Sequence, residues 1–372
     1  MIRFRKIILI SLLFLFLGTK MAFGADGLQV HFIDVGQADA ALIICEGHAM
    51  MIDGGEVNDS QLIYSYLQKQ NIRSLDYIVV THDDTDHIGG LPAAVTCVGP
   101  GIGMVLAPFK NSDKERFRVL QKKLAENKKA ISVPMIDTSY RLGPAEFRFL
   151  SLGEQGADKC LVLRLKYGEN TFLFAADADA EQEKAILDSG LAEKCTVLKV
   201  GHHGSSTSTS LEFLQKIDPS YAVISVGKDN PYGHPAVEVL ERLKKEGVNV
   251  YRTDRNGTII FSGDGKKLSV KAEKATSQKS DLIAFEADPS TASAVVGTAV
   301  TRSSAGTTSG TSATVPPEIA PSTYVLNKNT KKFHRPFCPS AAQIKGKNKE
   351  VVTDTRDHIT SMGYVPCKNC NP

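Results

Sequence analysis

The chain has 372 residues, 42% of them hydrophobic and 23% charged, with a formal net charge of +3. That balance excludes a disordered polypeptide, and the length suits one large domain plus a small one. The seven cysteines are an odd number, so they do not all pair within one chain.

Taken in chain order, residues 1–24 carry a basic start (Arg3, Arg5, Lys6), an apolar core at 7–17, and small residues Ala22 and Gly24 before Ala25. This is the pattern of a secretory signal peptide, so the chain is expected to be secreted. The apolar run falls short of the roughly 20 residues of a membrane-spanning helix, and no transmembrane span is expected in the mature chain. Losing Arg3, Arg5, Lys6 and Lys20 lowers the formal charge from +3 to −1. Cys45, Cys160 and Cys195 lie in or beside apolar segments and read as buried free thiols.

Residues 25–275 read as one domain. Short strands are predicted at 28–34, 41–45 and 49–53, with Glu46-Gly47-His48 as a turn and His48 on the surface. Leu62, Ile63, Tyr66 and Leu67 fall at helical spacing within 58–70, with Asp59 or Ser60 as cap. Tyr77-Ile78-Val79-Val80 then reads as a buried strand that delivers Thr81-His82-Asp83-Asp84-Thr85-Asp86-His87-Ile88-Gly89-Gly90. His82, Asp84, Asp86 and His87 within six residues at a strand end outline a metal site, and an irregular loop is expected to aim them.

A charged amphipathic helix follows at 111–127, then strands at 147–152, 160–167 and 170–175. The last strand ends in Ala176-Asp177, where Asp177 reads as a metal ligand or, like Asp179, as a helix cap. A buried strand at 195–200 delivers His202-His203-Gly204-Ser205. Adjacent residues on one strand point to opposite faces, so the turn at Gly204 must bring both histidines to one site, one as ligand and one toward substrate. A strand at 221–226 leads to Asn230, Tyr232 and His234, with Pro235 expected to open a helix. His234 can meet an anionic oxygen there, or cap and pack. Strands at 258–262 and 267–271 close the domain.

Residues 276–322 are rich in Ser, Thr, Ala, Gly and Pro and read as a flexible linker. Residues 323–372 form a second module carrying His334, Cys338, Cys367 and Cys370. These suit one structural zinc, and a Cys367–Cys370 disulfide is the competing reading. Nine Lys and Arg against three acids after residue 323 leave the tail basic and the body acidic, so the tail is able to guide an anionic partner. His358 reads as a surface residue.

The His82-x-Asp84-x-Asp86-His87-x-Gly89-Gly90 pattern resembles the H-x-H-x-D-H signature of the metallo-β-lactamase superfamily, with Asp84 where the second His usually stands. In this form it looks like the soluble hydrolase domain of ComEC-type DNA-uptake proteins and related secreted phosphodiesterases. His31-Phe32-Ile33-Asp34-Val35-Gly36-Gln37-Ala38-Asp39, Met51-Ile52-Asp53-Gly54-Gly55, Val200-Gly201-His202-His203-Gly204-Ser205 and Asn230-Pro231-Tyr232-Gly233-His234-Pro235 match in the same order.

The resemblance implies an α/β fold, the αββα sandwich of that superfamily, holding two divalent ions, zinc or manganese. It implies His82, Asp84, Asp86, His87, Asp177 and one or both of His202 and His203 as ligands. Asp177 would bridge the ions, although Ala176 stands where the family has Gly. Asp86, His203 and His234 would carry the chemistry, and Asp34, Asp39, Asp53, Ser205, Asn230 and Tyr232 would stand behind the ligands or meet the substrate. The implied activity is a metal-dependent phosphodiesterase or nuclease acting on DNA. Hydrolysis of other phosphodiester polymers, such as phosphocholine-bearing cell-surface polymers, and an inactive DNA-binding protein are the alternatives. Asp84 argues against β-lactam hydrolysis. The tail resembles the zinc-binding module of Ada-type DNA-repair proteins.

Overall fold

The computed structural model describes residues 27–152, 160–274, 322–334 and 339–367. The expected signal peptide, nearly all of the expected linker, Cys338 and Cys370 lie outside the described residues. The chain divides into two compact units, Met1–Ala284 and Phe285–Pro372.

In the first unit β1 (Leu28–Phe32), β2 (Ala41–Cys45), β3 (His48–Ile52), β4 (Leu75–Val79), β5 (Ile102–Leu106) and β6 (Ile131–Ser132) start one sheet. A second sheet holds β7 (Tyr140–Leu142), β8 (Ala145–Ser151), β9 (Val162–Tyr167), β10 (Asn170–Phe174), β11 (Val197–Lys199), β12 (Tyr221–Ile224) and β13 (Asn249–Arg252). The chain then returns through β14 (Ile259–Gly263) and β15 (Leu268–Ala272) to the first sheet. The sheets run β15-β14-β1-β2-β3-β4-β5-β6 and β13-β12-β11-β10-β9-β8-β7. β3 to β6 pair in parallel, as do β10 to β13, and the other neighbours are antiparallel.

Toward the middle of each sheet both faces are buried, which is why β3, β10, β11 and β12 read as continuous apolar runs, while β7, β8 and β15 alternate. Along β2, Ala41, Ile43 and Cys45 point into the layer between the sheets, with Phe32, Phe147, Phe172 and Phe261. Leu42 points the other way, to Ile63, Leu91 and Leu120 on the helices Ser60–Lys69, Leu91–Val98 and Glu115–Glu126. The second sheet is covered in the same manner by Ile186, Leu214 and Val239 of the helices Ala180–Asp188, Leu211–Ile217 and Val237–Lys245. The result is an αββα sandwich with the metallo-β-lactamase fold, as the sequence implies.

Several local readings change. The helix expected from residue 111 starts at Glu115, and Pro235 does not open a helix, because the next one begins at Val237. β5, the short β6 and β7, and the helices Leu91–Val98 and Leu211–Ile217 were not anticipated. Cys45, Cys160 and Cys195 are buried free thiols, as expected. Burial pushes Cys195 up to about 12 and Cys45 to about 11, so neither is a nucleophile.

The second unit contributes β16 (Ser322–Asn327), β17 (Lys332–His334), β18 (Lys349–Asp354) and β19 (Val365–Pro366), in the order β18-β16-β17-β19. Its small core is Tyr324, Leu326, Phe333, Ile359 and Tyr364.

Candidate metal centre

The candidate ligands leave the carboxyl ends of parallel strands, where α/β folds collect ligands. After β4 the chain makes one helical turn, Thr85–Ile88, in place of the expected irregular loop. Asp84 occupies its N-cap position without a side-chain cap bond, so its carboxylate is not tied to the helix end. Asp86 and His87 lie on the turn itself. The backbone fixes it tightly, with Asp39 N–H donating to the Asp86 carbonyl at 3.1 Å and Gly54 N–H to the His87 carbonyl at 2.7 Å. A Cβ added at Gly90 would sit 2.1 Å from the Gly54 carbonyl oxygen, so the two glycine pairs are required by close approach.

Asp177 stands at the centre. Its Oδ1 lies 3.3 Å from His87 Nε2 and 4.0 Å from His203 Nε2, while Oδ2 lies 3.6 Å from His202 Nε2 and 3.9 Å from His82 Nε2. Asp86 Oδ2 is 3.2 Å from His203 Nε2 and 3.8 Å from His87 Nε2. Two compact ligand triads result among the described residues, His82 with His87 and Asp177, and Asp86 with His87 and His203. A third grouping, Asp39, Asp53 and His87, lies behind them, and there Asp53 already serves His87.

His87 is wholly buried, and its Nδ1 bonds Asp53 Oδ2 at 2.8 Å. Asp53 also accepts from the Thr81 hydroxyl at 2.6 Å and the Thr81 N–H at 2.9 Å. With Nδ1 donating to a carboxylate, Nε2 turns a lone pair toward Asp177 Oδ1, and neither atom has a hydrogen-bond partner of sound geometry. Two acceptors facing each other at 3.3 Å need a cation between them, and a site of imidazole nitrogen and carboxylate oxygen fits a divalent metal. Without metal a proton takes that place. Burial pulls His87 toward neutrality, but Asp177 and Asp53 outweigh it and hold the imidazolium well above its ordinary range. Burial would raise Asp177, but His87 and His203 outweigh it and hold the carboxyl well below the usual carboxylate range. His203 is raised in the same way, against burial, by Asp177 and Asp39.

The backbone is strained at this site. Asp53, Ala176, His202 and His203 all have left-handed φ, at 54°, 46°, 48° and 53°. The pair of left-handed residues breaks the alternation of a strand, and it sends His203 into the interior and His202 to the opening. Ala176 adopts the conformation that glycine takes most easily, which explains why the family pattern has Gly there.

A family model of the metallo-beta-lactamase superfamily matches residues 33–228. The chain belongs to this superfamily. The clustered imidazoles and carboxylates are the metal-binding feature of this chain that corresponds to it. Over 259 residues it is 30% identical to ComE operon protein 3 of Bacillus subtilis (strain 168), covering 63% of this chain and 33% of that protein. Over 247 residues it is 30% identical to Competence protein ComA of Neisseria gonorrhoeae, covering 65% of this chain and 33% of that protein. The chain thus spans about a third of the length of these curated relatives. Among solved structures it is similar to the metallo-beta-lactamase fold protein YhfI from Bacillus subtilis, with a TM-score of 0.44 and 17% identity over 64% of this chain and all of that one.

Against this superfamily pattern the remaining sequence readings divide. Asp84 is outside both triads. It turns Oδ2 toward His82 at 3.7 Å and pairs its other oxygen with Lys114, which also holds Asp83 at 2.7 Å. The His82 contact, then Lys114 acting against partial burial, takes the Asp84 carboxyl far below its usual range. Asp34 is not brought to the centre. Its contacts are with Lys274 at 3.7 Å and the Gly36 N–H, on the side of β14 and β15. Ser205 bonds Thr207 and shapes the turn after the histidines. Asn230 organises its own loop by accepting from the Tyr232 and His234 N–H groups and donating to the Gly227 and His234 carbonyls. Tyr232 is exposed and stacks on His234, whose ring centroid lies 5.8 Å from that of His202. Asp179 caps the helix that starts at Ala180, accepting from Gln182 N–H, which leaves Asp177 to the centre. Sequence reading missed Lys199, Thr81 and Lys114. The available signal for Lys199 was a charge ending the apolar run Val197-Leu198.

Proposed function

We propose that the protein is a secreted, metal-dependent phosphodiesterase that acts on DNA. The observation that carries the reading is the division of Asp177, one oxygen toward His87 and His203 and the other toward His82 and His202. That arrangement suits a carboxylate shared by two divalent ions. Asp86, His87 and His203 would hold one, and His82 and Asp84 the other. When bound, such ions bring a water's pKa toward neutrality and neutralise charge on an attacked phosphoryl group. Zinc and manganese both suit the donor set, because three carboxylates add hard oxygen to the imidazoles.

The chain's own residues supply binding and proton transfer. His202, open to solvent, and His234 face each other at the rim, where an imidazolium can bind a phosphate oxygen or protonate a departing alkoxide. Asn230 holds the His234 segment by both of its main-chain groups, so that the ring is placed before substrate arrives. The likeness to a competence protein supports DNA as the substrate. The sequence of residues 1–24 supports export.

In the tail, the Cys367 N–H donates to the Phe333 carbonyl at 2.9 Å, so buried His334 and Cys367 stand on neighbouring backbone. This supports one structural zinc held by His334, Cys338, Cys367 and Cys370, which a folding assay of residues 322–372 with and without chelator tests.

The deciding experiment assays the manganese- and zinc-loaded protein on bis-p-nitrophenyl phosphate and linear DNA. Turnover abolished by chelator and restored by metal is expected, with His234→Ala lowering kcat about 100-fold or more at unchanged metal content. A metal-loaded protein inert on both substrates overturns the reading. Truncation after Ala287 is expected to raise KM for long DNA at low salt only, with small-substrate turnover unchanged.

A further inference from the structure

Lys199 ends β11 between the two sheets with 4% of its surface exposed. A lysine at that depth requires a partner. Its ammonium is 2.8 Å from Asp39 Oδ2 and donates to the Val200 carbonyl at 3.0 Å. Asp39 Oδ1 has no hydrogen-bond partner among the described residues and lies 3.6 Å from His203 Nδ1. That nitrogen bonds the Ser225 carbonyl at 2.9 Å, and a carbonyl can only accept, so Nδ1 carries the proton. Nε2 faces Asp86 Oδ2 at 3.2 Å and Asp177 Oδ1 at 4.0 Å, where it would offer its lone pair to a bound ion.

We propose that Lys199 and Asp39 form a positioning pair, in which Lys199 holds the Asp39 carboxylate beside the Nδ1–H of His203 that the Ser225 carbonyl orients. The inference rests on His203 being a metal ligand. A negative charge beside Nδ1–H makes Nε2 a better donor to a metal. Asp39 alone would be a costly buried charge, and Lys199 offsets it. The same residue reaches the neighbouring ligand through its backbone, since Asp39 N–H donates to the Asp86 carbonyl. Asp53 does the corresponding work for His87 by a direct bond at 2.8 Å, with no lysine. The two carboxylates thus support, both from loops of the first sheet, His87 after β4 and His203 after β11, one directly and one beside an ion pair.

The test uses the full chain. A double variant, Asp39→Asn with Lys199→Met, leaves no unpaired buried charge, so a purely structural ion pair predicts the parent's melting temperature and the parent's metal affinity. The positioning role predicts a near-parent melting temperature but an affinity for one ion lowered about 10- to 100-fold by chelator competition. It also predicts a shifted Nδ1–H resonance of His203 in ring-nitrogen NMR, and near-parent affinity in Lys199→Arg. If the double variant does not fold, Asp39→Asn alone decides, with a loss of about tenfold or more expected. Parent affinity with an unchanged His203 Nδ1–H resonance, in whichever variant folds, overturns the proposal. His203→Ala separates the two readings. If it binds both ions as tightly as the parent, His203 is not a ligand and the inference falls with that assignment. If it loses an ion while the double variant keeps both, only the positioning role fails.

Discussion

His202 and His203 are adjacent in sequence and opposite in surroundings, with side chains 42% and 3% exposed. The comparison extends to the whole centre. Its floor, made of His87, His203, Asp177, Asp53, Asp39 and Lys199, is buried and cross-linked by hydrogen bonds and ion pairs. Its rim, made of His202, Tyr232 and His234, is open to water or to the neighbouring loop. In a low-dielectric floor each charge is held by a specific partner, so changes there fall first on metal binding. At the rim water replaces what is lost, and changes fall on substrate and turnover.

The largest effect is expected from Asp177→Ala, which breaks the floor at its centre. Phosphodiester turnover should fall by at least about 1,000-fold with far-UV circular dichroism unchanged, because the shared carboxylate is lost. Substantial activity in this variant would remove Asp177 from the metal reading.

A buried histidine outside the centre sharpens the comparison. His31 has neutral partners, the Tyr66 hydroxyl at 2.8 Å and Gln29 Oε1 at 3.2 Å, so burial alone takes it down to about 4, the opposite direction from His87. The unfolded chain binds that proton near pH 6.5 and the folded one only near 4, so His31 stabilises the fold above 6.5 and loses that contribution as pH falls through the window. Its share is on the order of 3 kcal/mol. Denaturation of the parent and of His31→Gln, followed from pH 7 to 4, should show a steeper loss in the parent. Parallel curves would refute the assignment.

Asp53→Asn is expected to weaken metal binding about 10- to 100-fold, since the Nδ1 partner of His87 loses its charge. Chelator competition measures it. His202→Ala tests the other region. A rise in KM of a few fold is expected with metal content intact, as about 1–2 kcal/mol is lost with one charge-assisted hydrogen bond to substrate. If metal content falls as it does for a floor residue, the boundary between floor and rim has been drawn in the wrong place. The smallest effect belongs to Ala176→Gly, where relief of the left-handed backbone works against a more flexible unfolded chain. A change within about 1 kcal/mol is expected in equilibrium unfolding, stabilising if strain dominates.

The strand that precedes each ligand cluster and the candidate donors were legible in the sequence, and the sandwich followed from the resemblance that those motifs carry. Each depends on a short local pattern, an apolar run followed by a polar turn, and local patterns survive in a one-dimensional reading. Boundaries of the surface helices were less so, because fraying ends and cap choices depend on neighbours. Asp34 and Asp39 show the limit. Both lie on the loop after β1 with equal chemistry, yet Asp34 turns to Lys274 and Asp39 to Lys199.

By itself the sequence determined that imidazoles and carboxylates would gather at strand ends, since side-chain chemistry and hydrophobic period are properties of the chain, and its motifs implied the αββα fold by resemblance. Tertiary structure alone decided their roles. Asp53 meets His87 across 34 positions, and Asp86 meets His203 across 117. His203 faces inward only because two successive residues adopt left-handed backbone, held by Ser225 and the Lys199–Asp39 pair. Such contacts follow from how the two sheets stack, and no spacing along the chain encodes the resulting distances.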